Sequence, residues 1–294
     1  MNSKIYNQAW VILVPLLIFC GVISTCNAAT GEGMALSGEV LGGQQEDVDV
    51  TSIYGTFTTP VQYPLALHLE AVSDDASGDS LQGIGAHVYF RDPDWGLLGF
   101  TAMDVSVDLM ETDELPAIEN LDINTYGLEA EAHFASLVLA LQGGRIESDE
   151  LEFEKDQYTN VELHWFAGKK WHLVAGSHRF AGETTNLVET DYTHFINSHY
   201  ISAYLGGTWD AFDNVYLGVE FGSASKTGAN WVFFAEVDSG EAGYDAVFVG
   251  LRFEFGPLDA APILSLFERN TGGYSFISTQ SSSSTIGNGT GMHN

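Results

Sequence analysis

Cysteine is nearly absent from this chain: there are two, Cys20 and Cys26, and both precede residue 29. Residues 1–28 read as a secretory signal peptide. Lys4 gives a short positive start, Ala9 to Ile23 an apolar stretch, and Cys26-Asn27-Ala28 a small-residue site with cleavage after Ala28 or Ala29. The apolar stretch is short of the ~20 residues that a membrane-anchor helix needs. Thr25 before Cys26 is a poor fit to a lipoprotein site, where a smaller residue is usual. Cleavage removes both thiols, which excludes a disulfide framework from the mature chain.

Basic residues are also scarce, with 10 Lys and Arg against 40 Asp and Glu. Nucleic-acid binding needs cations to neutralise phosphates, so this balance argues against it. The acidity either forms a functional surface or keeps the chain soluble in a salty medium. Charge of this size often accompanies disorder, but 45% hydrophobic residues, with 18 Phe, 12 Tyr and 6 Trp, supply enough apolar surface to fold.

Beyond the signal no segment has the period of an amphipathic helix, and no apolar run approaches the length of a transmembrane helix. What fills the chain is period-2 alternation, the mark of a strand with two unlike faces. Ile84, Ala86, Val88 and Phe90 alternate with Gly85, His87, Tyr89 and Arg91, Asp92-Pro93-Asp94-Trp95-Gly96 reverses the chain, and Leu98 to Val107 returns. Similar hairpins are expected from Val50 to Val72, Asp122 to Leu141, Tyr158 to Ala175 and His194 to Ser223. Met34 to Leu41 and Tyr244 to Phe255 complete the set.

The turns fall into two kinds. Short ones carry an aromatic at or beside them: Tyr63, Trp95, Phe134, Trp165 with Trp171, and Trp209. Acidic, polar connections are expected at Gln44 to Asp49, Ser73 to Ser80, Glu111 to Asn120, Ser148 to Asp156 and Glu183 to Asp191. One face of most strands is apolar, while the other offers His68, Glu70, His87, Arg91, Glu129, Glu131, Glu162, His164, Glu220, Arg252 and Glu254. A soluble barrel would hide its apolar face and expose its charges. In a bilayer the roles invert, with apolar residues toward lipid and charged ones toward a wet lumen, short turns at the periplasmic end and an aromatic girdle.

The expected fold is therefore all-β, an antiparallel up-and-down transmembrane β-barrel over residues 29–256. The count is twelve strands, with Trp231 to Val237 as a strand extension or cap before the last strand. If that segment is a true span, a further strand such as Ile263 to Phe267 makes fourteen. Residues 257–294 are expected to form a periplasmic tail, Ser- and Gly-rich from Ser281 and largely disordered.

Two stretches carry a resemblance. Gly85 to Gly99, GAHVYFRDPDWGLLG, and Val232 to Gly256, ending GLRFEFG, resemble hairpin and C-terminal segments of porin-like outer-membrane β-barrel proteins of Gram-negative bacteria. The resemblance implies a barrel in the outer membrane, with the Trp231 segment in the wall, and carries no catalytic residues.

Chemistry is sparse. His68, His87, His133 and His164 share the presumed lumen face, but no pair has a short metal-ligand spacing, so no metal site is assigned and polar lumen residues are the expectation. Asp74 to Asp79 has oxygen ligands without the twelve-residue spacing of a calcium hand, so no cofactor is expected beyond Ca²⁺ or Mg²⁺ loosely bound between acidic loops and lipopolysaccharide. Ser177-His178 and Ser198-His199 are neighbours, and adjacent strand residues face opposite ways, so neither is expected to be a dyad. The expected function is a passive pore for small solutes that favours cations, with Glu129 and Glu131 among the acids that set the preference. A closed structural or adhesive barrel is the alternative, and a lipid-modifying enzyme a more distant one.

Overall fold

The computed structural model describes residues 34–45, 48–62, 64–76, 79–92, 94–109, 118–148, 156–168, 170–210, 213–223, 229–240 and 245–255. The proposed signal and tail lie outside them, as do Tyr63 and Ile263 to Phe267. Fourteen strands follow one another: β1 (Ala35–Gln45), β2 (Val48–Gln62), β3 (Leu65–Ala76), β4 (Asp79–Asp92), β5 (Gly96–Leu109), β6 (Ile118–Phe134) and β7 (Leu137–Glu147), then β8 (Gln157–Ala167), β9 (Trp171–Phe180), β10 (Glu183–Ile196), β11 (His199–Asp210), β12 (Asn214–Ser223), β13 (Ala229–Gly240) and β14 (Asp245–Phe255). Each pairs antiparallel with its sequence neighbours, and β1 pairs with β14 from Leu36↔Phe255 to Gln45↔Ala246, which closes the barrel. Closure leaves no edge strand, so every strand satisfies its backbone on both sides.

The strands are 10 to 17 residues long, enough to cross a bilayer at a tilt. Their outer faces carry Ile84, Phe100, Leu128, Leu163, Leu217 and Val249, all well exposed. Ile84 and Phe100 leave 64% and 68% of their surface uncovered, an arrangement that water would penalise and that lipid favours. The alternation of the opening hairpin sets this directly: on β4 the even-numbered residues from Ile84 to Phe90 point out, and Gly85, His87 and Tyr89 point in.

The count of fourteen corrects the expected twelve, and the two additional strands have different causes. Trp231 to Val237 is no cap but the body of β13, paired with β12 at Phe221↔Phe233 and with β14 at Phe233↔Leu251. The other is β10, read from the sequence as an acidic connection followed by the start of a long strand from His194; it turns at Asn197-Ser198 into β11. The strand that accompanies β13 is therefore β10, within the wall, and no contribution from residues 263–267 is needed.

With β10 in place, the turn beside Trp209 moves to the opposite end from those beside Trp95, Phe134 and Trp171. The end that carries Ala35 and Phe255 is called the terminal end, and the other the loop end. Segments 110–117 and 149–155 connect strands at the loop end. Several expected acidic loops are instead strand: Gln44-Gln45 and Val48-Asp49 pair with each other, and so do Asp74–Ala76 and Asp79–Leu81. Asp74 is buried on the inner face of β3 and Asp75 faces out, so the first two carboxylates of the Asp74 to Asp79 stretch point to opposite faces; Ser77 and Gly78 lie outside the described residues.

Candidate functional site

The lumen divides into regions that its strands set up. Toward the loop end, Tyr54, Val72, Leu81, Val105, Val107, Leu121, Ile123, Ile146 and Tyr158 form an apolar cluster against the inner faces of β2 to β8. Leu41, Val50, Phe234, Ala246 and Phe248 form a second, from β1, β2, β13 and β14. The inner face is thus not wholly polar, and apolar side chains pack together toward the loop end.

Below the first cluster the wall carries histidine–glutamate networks, built by cross-strand register. His68 on β3 stands opposite His87 on β4, and Glu70 lies two residues on, on the same face as His68. The Nε2 atoms of His68 and His87 both approach Glu70 Oε1, at 3.2 and 3.0 Å. Glu129 on β6 holds Nδ1 of His87 at 2.6 Å, Thr58 on β2 meets Nδ1 of His68 at 2.7 Å, and the Tyr54 hydroxyl donates to Glu70 Oε2 at 3.0 Å. His133 Nε2 lies 3.2 Å from Glu131.

A second network spans β8 to β10. Asp191 meets His172 Nδ1 at 2.9 Å, His172 Nε2 meets His164 Nδ1 at 3.0 Å, His164 Nε2 meets Glu162 Oε2 at 2.7 Å, and His178 Nε2 meets Glu162 Oε1 at 2.8 Å. At the closure seam the Arg252 guanidinium donates to Glu254 at 2.8 Å, Glu220 at 3.1 Å and Glu39 at 3.5 Å.

All eleven residues assigned to the lumen face from the sequence lie on inward positions of the strands. Nine of them belong to the histidine–glutamate networks and the Arg252 cluster, namely His68, Glu70, His87, Glu129, Glu162, His164, Glu220, Arg252 and Glu254, and Glu131 pairs with His133. Most are buried rather than bathed in an open channel, Glu129 and Glu131 at 4% and 5% exposure. Arg91 is half-buried near the terminal end of β4.

Open space lies on another side. A cavity of ≈ 310 Å³ is lined by Glu189, Asp191, Thr193 and Phe195 of β10, Tyr200, Ser202 and Tyr204 of β11, and Glu220 of β12. Its walls are cross-strand pairs on one face, Asp191↔Tyr204, Thr193↔Ser202 and Phe195↔Tyr200. The rings of Tyr200 and Tyr204 lie over Gly222 and Gly218 directly opposite, where a Cβ would collide with them. Glycine at these two positions is what lets the tyrosines lie flat along the wall and leaves the cavity beside them.

The acids absent from the sequence-based lumen assignment include Glu39 on β1, Glu189 and Asp191 on β10, which was read as an acidic connection, and the buried Glu236 and Asp238 on β13, which was placed in the wall only as the alternative. For the latter four the signal was period-2 spacing, Glu189 with Asp191 and Glu236 with Asp238.

Of the girdle residues, Trp95, Phe134, Trp165 and Trp171 are exposed toward the terminal end, and Trp209 toward the loop end. His199, Phe221, Trp231 and Phe233 extend the terminal-end band across β11 to β13 with ring centroids 5.2 to 6.1 Å apart. Ser198 lies in the β10–β11 turn, where strand alternation does not hold, and its Oγ comes within 3.4 Å of His199 Nδ1. That exposed contact corrects the expectation that the two residues stay apart; among the described residues no carboxylate hydrogen-bonds the ring.

No family model matches the chain, and no curated protein matches it. Among solved structures, the CymD monoaromatic hydrocarbon channel is similar with a TM-score of 0.55 and 9% identity, over 78% of this chain and 89% of that one. The Acinetobacter baumannii outer membrane protein Omp33 aligns with a TM-score of 0.45 and 14% identity, over 78% of this chain and all (100%) of that one. The likeness to CymD establishes the fold, a porin-like closed barrel, in agreement with the resemblance read from the two sequence stretches.

Proposed function

We propose that the chain is a transmembrane β-barrel of a Gram-negative outer membrane and a passive pore for small solutes, with a narrow, cation-favouring path along β10 to β12. The apolar outer wall supports the membrane placement, because the exposed Ile, Leu, Val and Phe side chains fit lipid and not water. The single observation that carries the pore reading is the acid-lined cavity, where Glu189, Asp191 and Glu220 line open space on the inner face of the barrel. Carboxylates of one sign in a confined wet passage concentrate cations and repel anions. Glu129 and Glu131 are buried and do not line this cavity, so they are poorly placed for that role. At the loop end, acidic strand ends such as Asp49 and Asp108 would meet lipopolysaccharide, with divalent cations bridging carboxylate to phosphate. A closed structural barrel is the second reading, favoured by the two apolar clusters that pack together toward the loop end.

Single-channel recording in planar bilayers tests the pore. The wild type should conduct in small, steady steps. Tyr204→Ala removes a ring that lines the cavity and should raise the conductance several-fold. If neither protein conducts, the barrel is closed and the pore reading falls.

A further inference from the structure

We propose that His68, Glu70 and His87 form a binding site for one divalent transition-metal ion, of the zinc type, inside the barrel wall. Two ring nitrogens and one carboxylate oxygen converge: His68 Nε2 and His87 Nε2 lie 3.2 and 3.0 Å from the same atom, Glu70 Oε1, and the three potential ligand atoms all fall within 4.8 Å of one another. Metal–ligand bonds of about 2.0–2.2 Å place tetrahedral ligand atoms about 3.3–3.6 Å apart, so small side-chain shifts bring all three into contact with a common ion. Two imidazoles and a carboxylate suit zinc and its neighbours, whereas calcium and magnesium take oxygen ligands.

The surroundings match a metal centre. In such sites the ring nitrogen opposite the metal is held by an outer partner, commonly a carboxylate, which fixes the ring's orientation. Here Glu129 Oε2 takes the Nδ1–H of His87 at 2.6 Å and Thr58 Oγ1 stands 2.7 Å from Nδ1 of His68. Glu129 Oε1, buried with no hydrogen-bond partner, is a further acceptor at the edge of the group.

The second histidine network is the internal contrast. Glu162 meets His164 through Oε2 and His178 through Oε1, so those two rings approach different oxygens and converge on no common point. That network is a hydrogen-bonded bridge, and the β3–β4 site is a cage. Sequence spacing could not reveal the cage because His68 and His87 are 19 positions apart and meet only through strand pairing.

The test uses the full mature barrel, folded in detergent without a histidine tag. Titrated with Zn²⁺, it should bind one ion per chain, and with Co²⁺ it should show the intense visible absorption of a tetrahedral histidine-ligated site. His87→Gln and His68→Gln should each weaken binding more than about 100-fold, and Glu129→Gln about 10- to 100-fold. His164→Gln and His178→Gln should leave binding unchanged. Folding of each variant is followed by heat-dependent gel mobility. If the ligand variants do not fold, X-ray absorption of the zinc-loaded wild type decides, with two imidazoles in the first coordination sphere expected. Absence of stoichiometric binding, a zinc sphere without two imidazoles, or equal loss in His164→Gln, overturns the proposal.

Discussion

Arg252 shows how single side chains hold this barrel together. Its guanidinium joins Glu254 of its own strand to Glu220 on β12 and Glu39 on β1, so it spans the seam where the first and last strands meet. Removing a charge from a buried cluster costs more than the cluster itself contributes, because the partners left behind are desolvated and repel one another. Arg252→Leu should lower the free energy of unfolding by about 3–5 kcal/mol, read as an earlier urea midpoint of the barrel in detergent. Glu254→Gln leaves two carboxylates on the arginine and should cost much less. A midpoint unchanged in Arg252→Leu would mean that backbone pairing alone closes the seam.

At the scale of elements, the strands that the sequence revealed are those whose faces differ most. On β4 and β6 an apolar outer face alternates with histidine, glutamate and arginine, and periodicity alone identifies both the strand and its orientation. The strand β10 escaped because polar residues dominate both its faces: Thr184, Asn186 and Thr190 point out beside Val188, while Glu189, Asp191 and Thr193 point in beside Leu187, so the stretch reads as an acidic loop. The strand β13 escaped for the opposite reason. Val232 and Phe234 point inward beside outward Trp231 and Phe233, so four apolar residues run together without alternation. The misreading of β10 also hid the candidate passage, since Glu189 and Asp191 lie on it. Topology is testable through the turns. Single cysteines at Ser148 and Asp213 should react with an impermeant thiol reagent on intact cells, and one at Ser136 should not. Twelve strands would put Asp213 and Ser136 on the same side, so protection of an Asp213→Cys barrel would contradict the fourteen-strand wall.

The whole molecule is an asymmetric barrel. Apolar clusters pack the inner faces of β1 to β8, β13 and β14, histidine–glutamate networks line β3 to β10, and β10 to β12 leave a cavity with a carboxylate-lined wall. A barrel of this size can be filled or open, and here the side chains decide, because dry packing and wet space occupy different sectors of one lumen. The most direct measurement of this claim is the reversal potential across a KCl gradient in planar bilayers. The wild type should show cation preference that weakens as salt rises and the Debye length shrinks from about 10 Å at 0.1 M. The triple variant Glu189→Gln, Asp191→Asn, Glu220→Gln should lose most of that preference, and Glu129→Gln with Glu131→Gln should keep it. Anion preference in the wild type, or a triple variant as selective as the wild type, would contradict the account.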